Sequence, residues 1–84
     1  MSHCDKLHEQ ARTAPQNVRF SDLCRLAECF GFIPARTGGS HWIFKRPGTR
    51  QIMNFQERGG KAKAYQVRQL LEAIDNIFGG EDLT

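Results

Sequence analysis

The sequence predicts a single α+β domain in which two amphipathic helices pack on one face of a three-stranded antiparallel sheet. Apolar residues recur at helical spacing in two segments, and three β-rich segments lie between them. Glycine or proline pairs separate those β-rich segments, as expected for the turns of a meander. At 84 residues the chain has room for one small core. The predicted order is αβββα, preceded by an optional short helix.

The N-terminal segment is polar and is predicted to form either a short helix, from Asp5 to Thr13, or a loosely held arm. Leu7 and Ala11 are its only apolar pair at helical spacing, and Pro15 ends it. The chain is therefore divided into an arm or helix over residues 1–16, a domain over residues 17–80 and a tail over residues 81–84.

The two main helices are predicted from their apolar faces. In RFSDLCRLAECFGF, Ser21 is suited to cap the helix and Gly31 to end it with a positive φ. In AYQVRQLLEAIDNIF, one face carries Val67, Leu70, Leu71, Ile74 and Phe78. Two such helices cover one face of a small sheet, so its other face is left in solvent.

The predicted strands lie in FIPART, SHWIFKR and RQIMNFQ. Pro34 cannot donate to a neighbouring strand, which makes the first an edge or bulged strand. In the second strand, alternation puts Trp42 and Phe44 on the core side, and His41 on the opposite side or at the entry of the strand.

The composition favours a cytoplasmic protein without a metal or other cofactor. Three cysteines, no secretory signal and no apolar run long enough to span a bilayer predict reduced thiols and no membrane association. The nearest approach to a metal motif is His3, Cys4 and His8, which lack the paired spacing of zinc ligands.

Positive charge is concentrated in the middle of the chain. Between Arg36 and Arg68 there are eight basic side chains and one acidic one, a net charge of +7, whereas the rest of the chain carries −4. This distribution is typical of a phosphate-binding surface, although a solvated basic face without a partner would give the same pattern.

Two segments carry the candidate chemistry. In GGSHWIFKR, the turn residues Gly39 and Ser40 precede His41, which is either structural or a proton-transfer group beside Lys45 and Arg46. In ERGGKAKAY, Lys61, Lys63 and Tyr65 begin a helix whose amides favour anions, although a flexible loop is the simpler interpretation. The Walker pattern is absent, so a nucleoside triphosphatase is not predicted.

From Phe20 to Ile77 the chain resembles the HicA family of toxin–antitoxin mRNA interferases. The resemblance depends on FSDLCRLAECFGF, GGSHWIFKRPG and NFQERGGKAKAYQVRQLLEAI in that order. It implies a double-stranded-RNA-binding-domain-like fold, a metal-independent endoribonuclease with His41 as its functional histidine, and a HicB-like antitoxin partner. Many relatives carry a second histidine at the position of Trp42.

The hypothesis is that RNA phosphates bind Lys45, Arg46, Lys61 and Lys63, while His41 takes the proton of a ribose 2′-hydroxyl or delivers one to the leaving oxygen. Two other functions remain open at this point: an RNA-binding module without catalysis, and a domain whose basic face binds an acidic protein. Whether the chain forms a homodimer is also left open.

Overall fold

The computed structural model of the chain describes residues 3–79, so the predicted tail at 81–84 lies outside the described residues. The helices are α1 (His3–Thr13), α2 (Phe20–Cys29) and α3 (Ala64–Ile74), the strands are β1 (Ile33–Gly38), β2 (His41–Lys45), β3 (Ile52–Arg58) and β4 (Lys61–Ala62), a 3-10 turn covers Pro15–Asn17, and a π turn covers Asp75–Gly79. The α+β class and the optional N-terminal helix are thus confirmed.

The sheet has four antiparallel strands in the order β1-β2-β3-β4, so the predicted number of three is wrong. The additional strand is the two-residue β4, which pairs with the end of β3. Gly59 and Gly60 join the two strands with φ of +59° and +81°, the pattern of a type I′ hairpin turn. A loop was predicted here because a two-residue strand has no periodicity to detect.

β1 is both an edge strand and a bulged strand, which confirms the prediction made from Pro34. It pairs only with β2, and the register shifts between Pro34 and Arg36. Proline has no backbone N–H to donate to a neighbouring strand, and the bulge inserts one residue that has no partner in β2.

The core lies between the sheet and the helices. Phe32, Phe44 and Phe55 are fully buried there, and α1 adds Leu7 and Ala11. Because α1 packs against both α2 and α3, the N-terminal segment is part of the packed structure rather than a free arm. None of the helices within residues 3–79 has the length and apolar character needed to cross a membrane.

α2 begins at Phe20, one residue before the predicted cap Ser21, and Arg19 occupies the N-cap position without a side-chain hydrogen bond. The end of the helix agrees with the prediction: Gly31 has a φ of +94°, and its N–H donates to Glu28 O. Together with the bond from Phe32 N to Ala27 O, this forms a Schellman motif that turns the chain towards β1.

The prediction of reduced cysteines is wrong for two of the three. Cys4 in α1 and Cys29 at the end of α2 form a disulfide, with their Cα atoms 5.8 Å apart, and Cys24 is the free thiol. The two residues are 25 positions apart in sequence, and only the packing of α1 on α2 brings them together. Sequence spacing does not show that proximity.

Candidate active site

His41 is placed on the open face of the sheet by the hairpin that precedes it. Gly39 and Ser40 form a two-residue turn in which only Gly39 has a positive φ, of +57°, as in a type II′ turn. Ser40 O accepts a hydrogen bond from Glu57 N at 2.9 Å, which ties the turn to β3. His41 is therefore the exposed first residue of β2 and lies directly opposite Gln56 of β3.

A cavity of about 280 Å³ lies beside His41, where the open face of the sheet meets the start of α3. Its lining side chains are neutral polar or titratable groups without a carboxylate: His41, Asn54, Gln56, Tyr65, Gln66 and Gln69. The cavity therefore combines one imidazole and one phenol with carboxamides.

Lys63 places an ammonium group at this cavity. Its Nζ donates to Gln56 Oε1 at 2.8 Å and lies 6.0 Å from the centroid of the Tyr65 ring. Gln56 is the cross-strand neighbour of His41 and lines the same cavity as His41 and Tyr65. The ammonium of Lys63, bound to Gln56, therefore lies close to both of these side chains. Lys63 is also the N-cap residue of α3, so its backbone position is fixed by the helix.

The buried side chain of Gln66 binds the backbone of β3 beside the cavity. It is 5% exposed, its Oε1 accepts the Gln56 N–H at 2.8 Å, and its Nε2 donates to Asn54 O at 3.0 Å. These bonds satisfy backbone groups of β3 that the short β4 does not reach, as a further strand residue would. The same Nε2 also approaches Tyr65 Oη at 3.4 Å.

Gln56 and Gln66 were not predicted as site residues. The only sequence signal for Gln66 is a polar residue at the start of a helix, next to the apolar Val67. Such a position is usually exposed, so its burial depends on the tertiary structure.

The remaining predicted cations lie elsewhere. Lys45 shares the open face with His41 but is at the far end of β2, roughly 13 Å along the strand. Lys61 is exposed on β4, paired with Arg58 and bridged to Arg19. Neither of these two lysines lines the cavity.

Arg46 is occupied by structural contacts. Its Nε donates to Phe30 O at 2.9 Å, and its guanidinium carbon lies 5.1 Å from the centroid of the Phe78 ring. Both partners belong to the helical layer, so the structure does not bring Arg46 to His41.

Trp42 lies on the opposite side of the sheet from His41. It is half-buried, with its ring centroid 5.8 Å from that of Phe20 and 6.4 Å from that of Phe44. Neighbouring strand residues point to opposite faces, so the side chain that follows His41 packs on the core and not in the cavity.

The carboxylates of Glu28 and Glu57 lie near Cys24, on the helical side of the sheet. Burial raises the pKa of the Cys24 thiol to about 11, and the carboxylates of Glu28 and Glu57 add to that increase. Glu57 lines a groove on that side with Cys24 and Trp42. Within residues 3–79, no three His, Cys, Asp or Glu side chains are grouped closely enough to hold a metal ion.

Comparison of the sequence with models of protein families identifies the class of protein. The family model described as "HicA toxin of bacterial toxin-antitoxin" matches residues 20–75, which is more than half of the chain. The chain belongs to the HicA family of bacterial toxin–antitoxin toxins. The match begins at the first residue of α2, so α1 lies outside it. Neither a curated protein nor a solved structure matches the chain.

Proposed function

We propose that the chain is an mRNA-cleaving endoribonuclease, the toxin of a type II toxin–antitoxin system, in which His41 moves a proton at the scissile phosphate. The observation that carries this proposal is the position of His41 in one cavity with Tyr65, beside the ammonium of Lys63. Family membership supports the same activity, since HicA toxins are known as mRNA interferases. The cytoplasm is the proposed location because mRNA is there.

The proposed reaction is attack of a ribose 2′-hydroxyl on the adjacent phosphorus. It leaves a 2′,3′-cyclic phosphate and frees the 5′-oxygen of the next nucleotide. The imidazole of His41 takes the 2′-proton or supplies the proton that the 5′-oxygen needs. Lys63, fixed by Gln56, offsets the negative charge that builds up on the phosphoryl oxygens.

The rest of the RNA is proposed to bind along the open face and the two glycine turns. Lys45 and Lys61 offset flanking phosphates, and the backbone of Gly39 and Ser40 lies beside His41 where the chain passes. Arg46 is part of the predicted phosphate-binding set, but its contacts with Phe30 and Phe78 favour a structural role.

The experiment that tests this function is cleavage of a structured mRNA transcript in EDTA by the wild-type protein and by His41→Ala. Because general acid–base catalysis contributes about 10²–10⁴ in rate, the variant is expected to be slower by that factor. His3→Ala is the matched control, since it removes an exposed imidazole from α1, away from the cavity.

Equal rates for wild type and His41→Ala would contradict the role of His41. Absence of cleavage by both proteins, together with salt-sensitive RNA binding by both, would instead support the second candidate function, a non-catalytic RNA-binding module. The concentration of positive charge in the middle of the chain is the observation that favours this candidate.

The proposed protein partner is a HicB-like antitoxin that covers the open face of the sheet. That face exposes Ile33 and Ile52, 53% and 56% accessible, on either side of Lys45. An apolar surface with a central cation suits a protein partner that supplies both apolar and acidic side chains. Cleavage that continued unchanged in the presence of the antitoxin encoded beside this gene would contradict the proposal.

A further inference from the structure

We infer that Tyr65 is the second proton-transfer group of the reaction and donates its proton to the leaving 5′-oxygen, while His41 acts as the base. This inference rests on the proposed ribonuclease function. Cleavage of a phosphodiester without a metal needs one group to accept a proton and another to supply one. The histidines at 3 and 8 are both in α1, and Trp42 faces the core, so within residues 3–79 no second imidazole stands beside His41.

The residues that line the cavity limit which group can supply the proton to the leaving oxygen. Among its lining residues only His41 and Tyr65 can exchange a proton, since the others are carboxamides. The Lys63 ammonium beside the cavity also carries protons, but its hydrogen bond to Gln56 Oε1 suits it to stabilising negative charge. Tyr65 is 52% exposed and lines the cavity, so a bound RNA strand can reach its side chain. A phenol O–H can donate a proton, which suits the role of acid and leaves the imidazole as the base.

Gln66 determines how the Tyr65 hydroxyl is oriented. Its Oε1 must face the Gln56 N–H and its Nε2 must face Asn54 O, so the amide has only one orientation that satisfies both bonds. The group that approaches Tyr65 Oη, at 3.4 Å, is therefore the donor Nε2. The Tyr65 oxygen accepts in this contact, and its own hydrogen remains free to be donated to the substrate.

Lys63 is positioned to stabilise the product of that transfer. Once the proton has left, the phenolate is negative, and it is stabilised by the Lys63 ammonium, which is bound to Gln56 Oε1 and lies 6.0 Å from the centroid of the Tyr65 ring. In this step the 2′-oxygen gives its proton to His41 and forms the new P–O bond, the bond from phosphorus to the 5′-oxygen breaks, and the 5′-oxygen leaves with the Tyr65 proton. Solvent then returns a proton to Tyr65 and removes one from His41.

The test compares Tyr65→Phe on two RNA oligonucleotides that span a mapped cleavage site. One has the natural 5′-oxygen at the cleaved bond, and the other has sulfur in its place. A thiolate leaves without being protonated, so a missing acid matters only for the oxygen substrate. Tyr65→Phe should lose about 10²–10⁴ in kcat on the oxygen substrate and retain a rate close to wild type on the sulfur substrate. His41→Ala should be slow on both, because the base is needed in each case.

Equal losses on the two substrates would overturn the inference, since they would show that Tyr65 binds or orients RNA without donating a proton. Unchanged cleavage of both substrates by Tyr65→Phe would also overturn it. Failure of the wild-type protein to cleave any RNA, so that no cleavage site could be mapped, would instead overturn the proposed function itself. Replacement of Gln66 by Leu adds a second readout. It should reduce kcat on the oxygen substrate more than on the sulfur substrate, whereas a purely structural loss would reduce both alike.

Discussion

Among single residues of the sheet, the direction of the side chain decides whether it serves the core or the site. His41 and Phe44 belong to the same five-residue strand, yet His41 is exposed and Phe44 is fully buried. Trp42 and Phe44 share the buried side, so replacing Trp42 by histidine would not place a second imidazole in the cavity.

The free thiol of Cys24 is predicted to be unreactive at neutral pH. Since burial and two carboxylates raise its pKa from the ordinary 9.0 to about 11, the nucleophilic thiolate is scarce below that pH. With Cys4 and Cys29 joined, Cys24 is the only thiol available to iodoacetamide. The alkylation rate should therefore continue to rise between pH 9.0 and about 11.

The same pKa predicts an effect on stability. Because the folded-state pKa is above that of the unfolded chain, the contribution of the protonated thiol is complete below pH 9.0 and is lost as the pH rises to about 11. Urea unfolding of wild type and Cys24→Ala across this range isolates the effect. A constant difference in the free energy of unfolding between the two proteins would contradict it.

Among the elements, α1 is joined to the domain in two ways, by packing and by a covalent bond. It buries Leu7 and Ala11, and the Cys4–Cys29 disulfide links its first turn to the last residue of α2. An exposed ion pair, Arg12 with Asp75 at 4.0 Å, contributes little to this attachment because both side chains are solvated.

Replacement of a disulfide cysteine is predicted to destabilise the protein when no reductant is present. With reductant, the disulfide is already broken in the wild type, so the replacement has less effect. A cross-link that closes a loop of this length is worth about 3.5 kcal/mol in the chain-entropy estimate. Cys4→Ser should therefore lower the free energy of unfolding by up to that amount without reductant, and much less with it. Cys24→Ser is the matched control, since it leaves the disulfide intact.

The measurement is urea unfolding with and without a reducing agent. Intact-mass spectrometry of the wild-type protein shows whether the disulfide has formed, because its formation removes two hydrogens. If wild type and Cys4→Ser unfolded alike in the absence of reductant, the bond would not contribute to folding.

For the whole molecule, the distribution of charge predicts salt-dependent RNA binding in which the individual cations are not equivalent. Loss of one phosphate contact reduces the slope of log K against log salt by about 0.7 for single-stranded RNA. Lys63→Ala should show this reduction. Arg46→Ala should leave the slope unchanged and instead lower the free energy of unfolding by about 1.5–3 kcal/mol, since it removes the charged donor to Phe30 O.

Binding titrations at several salt concentrations, with urea unfolding of each variant, separate the two effects. A reduced slope for Arg46→Ala with unchanged stability would restore Arg46 to the phosphate-binding set predicted from the sequence. The comparison therefore decides between a structural and an RNA-binding role for this residue.

Much of the architecture was predictable because it depends on local patterns. Helical spacing indicated α2 and α3, alternation placed His41 opposite the core, and Pro34 indicated an irregular edge. The parts that were missed depend on contacts distant in sequence: the two-residue β4, the Cys4–Cys29 disulfide and the buried amide of Gln66.

The two outer edges of the sheet limit how another chain can attach to it. At one edge Pro34 lacks an N–H and the bulge breaks the register. At the other, β4 is two residues long and the Gln66 amide occupies the neighbouring backbone groups of β3. A partner therefore cannot readily extend the sheet by adding a strand of its own. If an antitoxin covers the open face as proposed, it recognises side chains there, so variation in those side chains, rather than in the backbone, would determine which antitoxin is accepted.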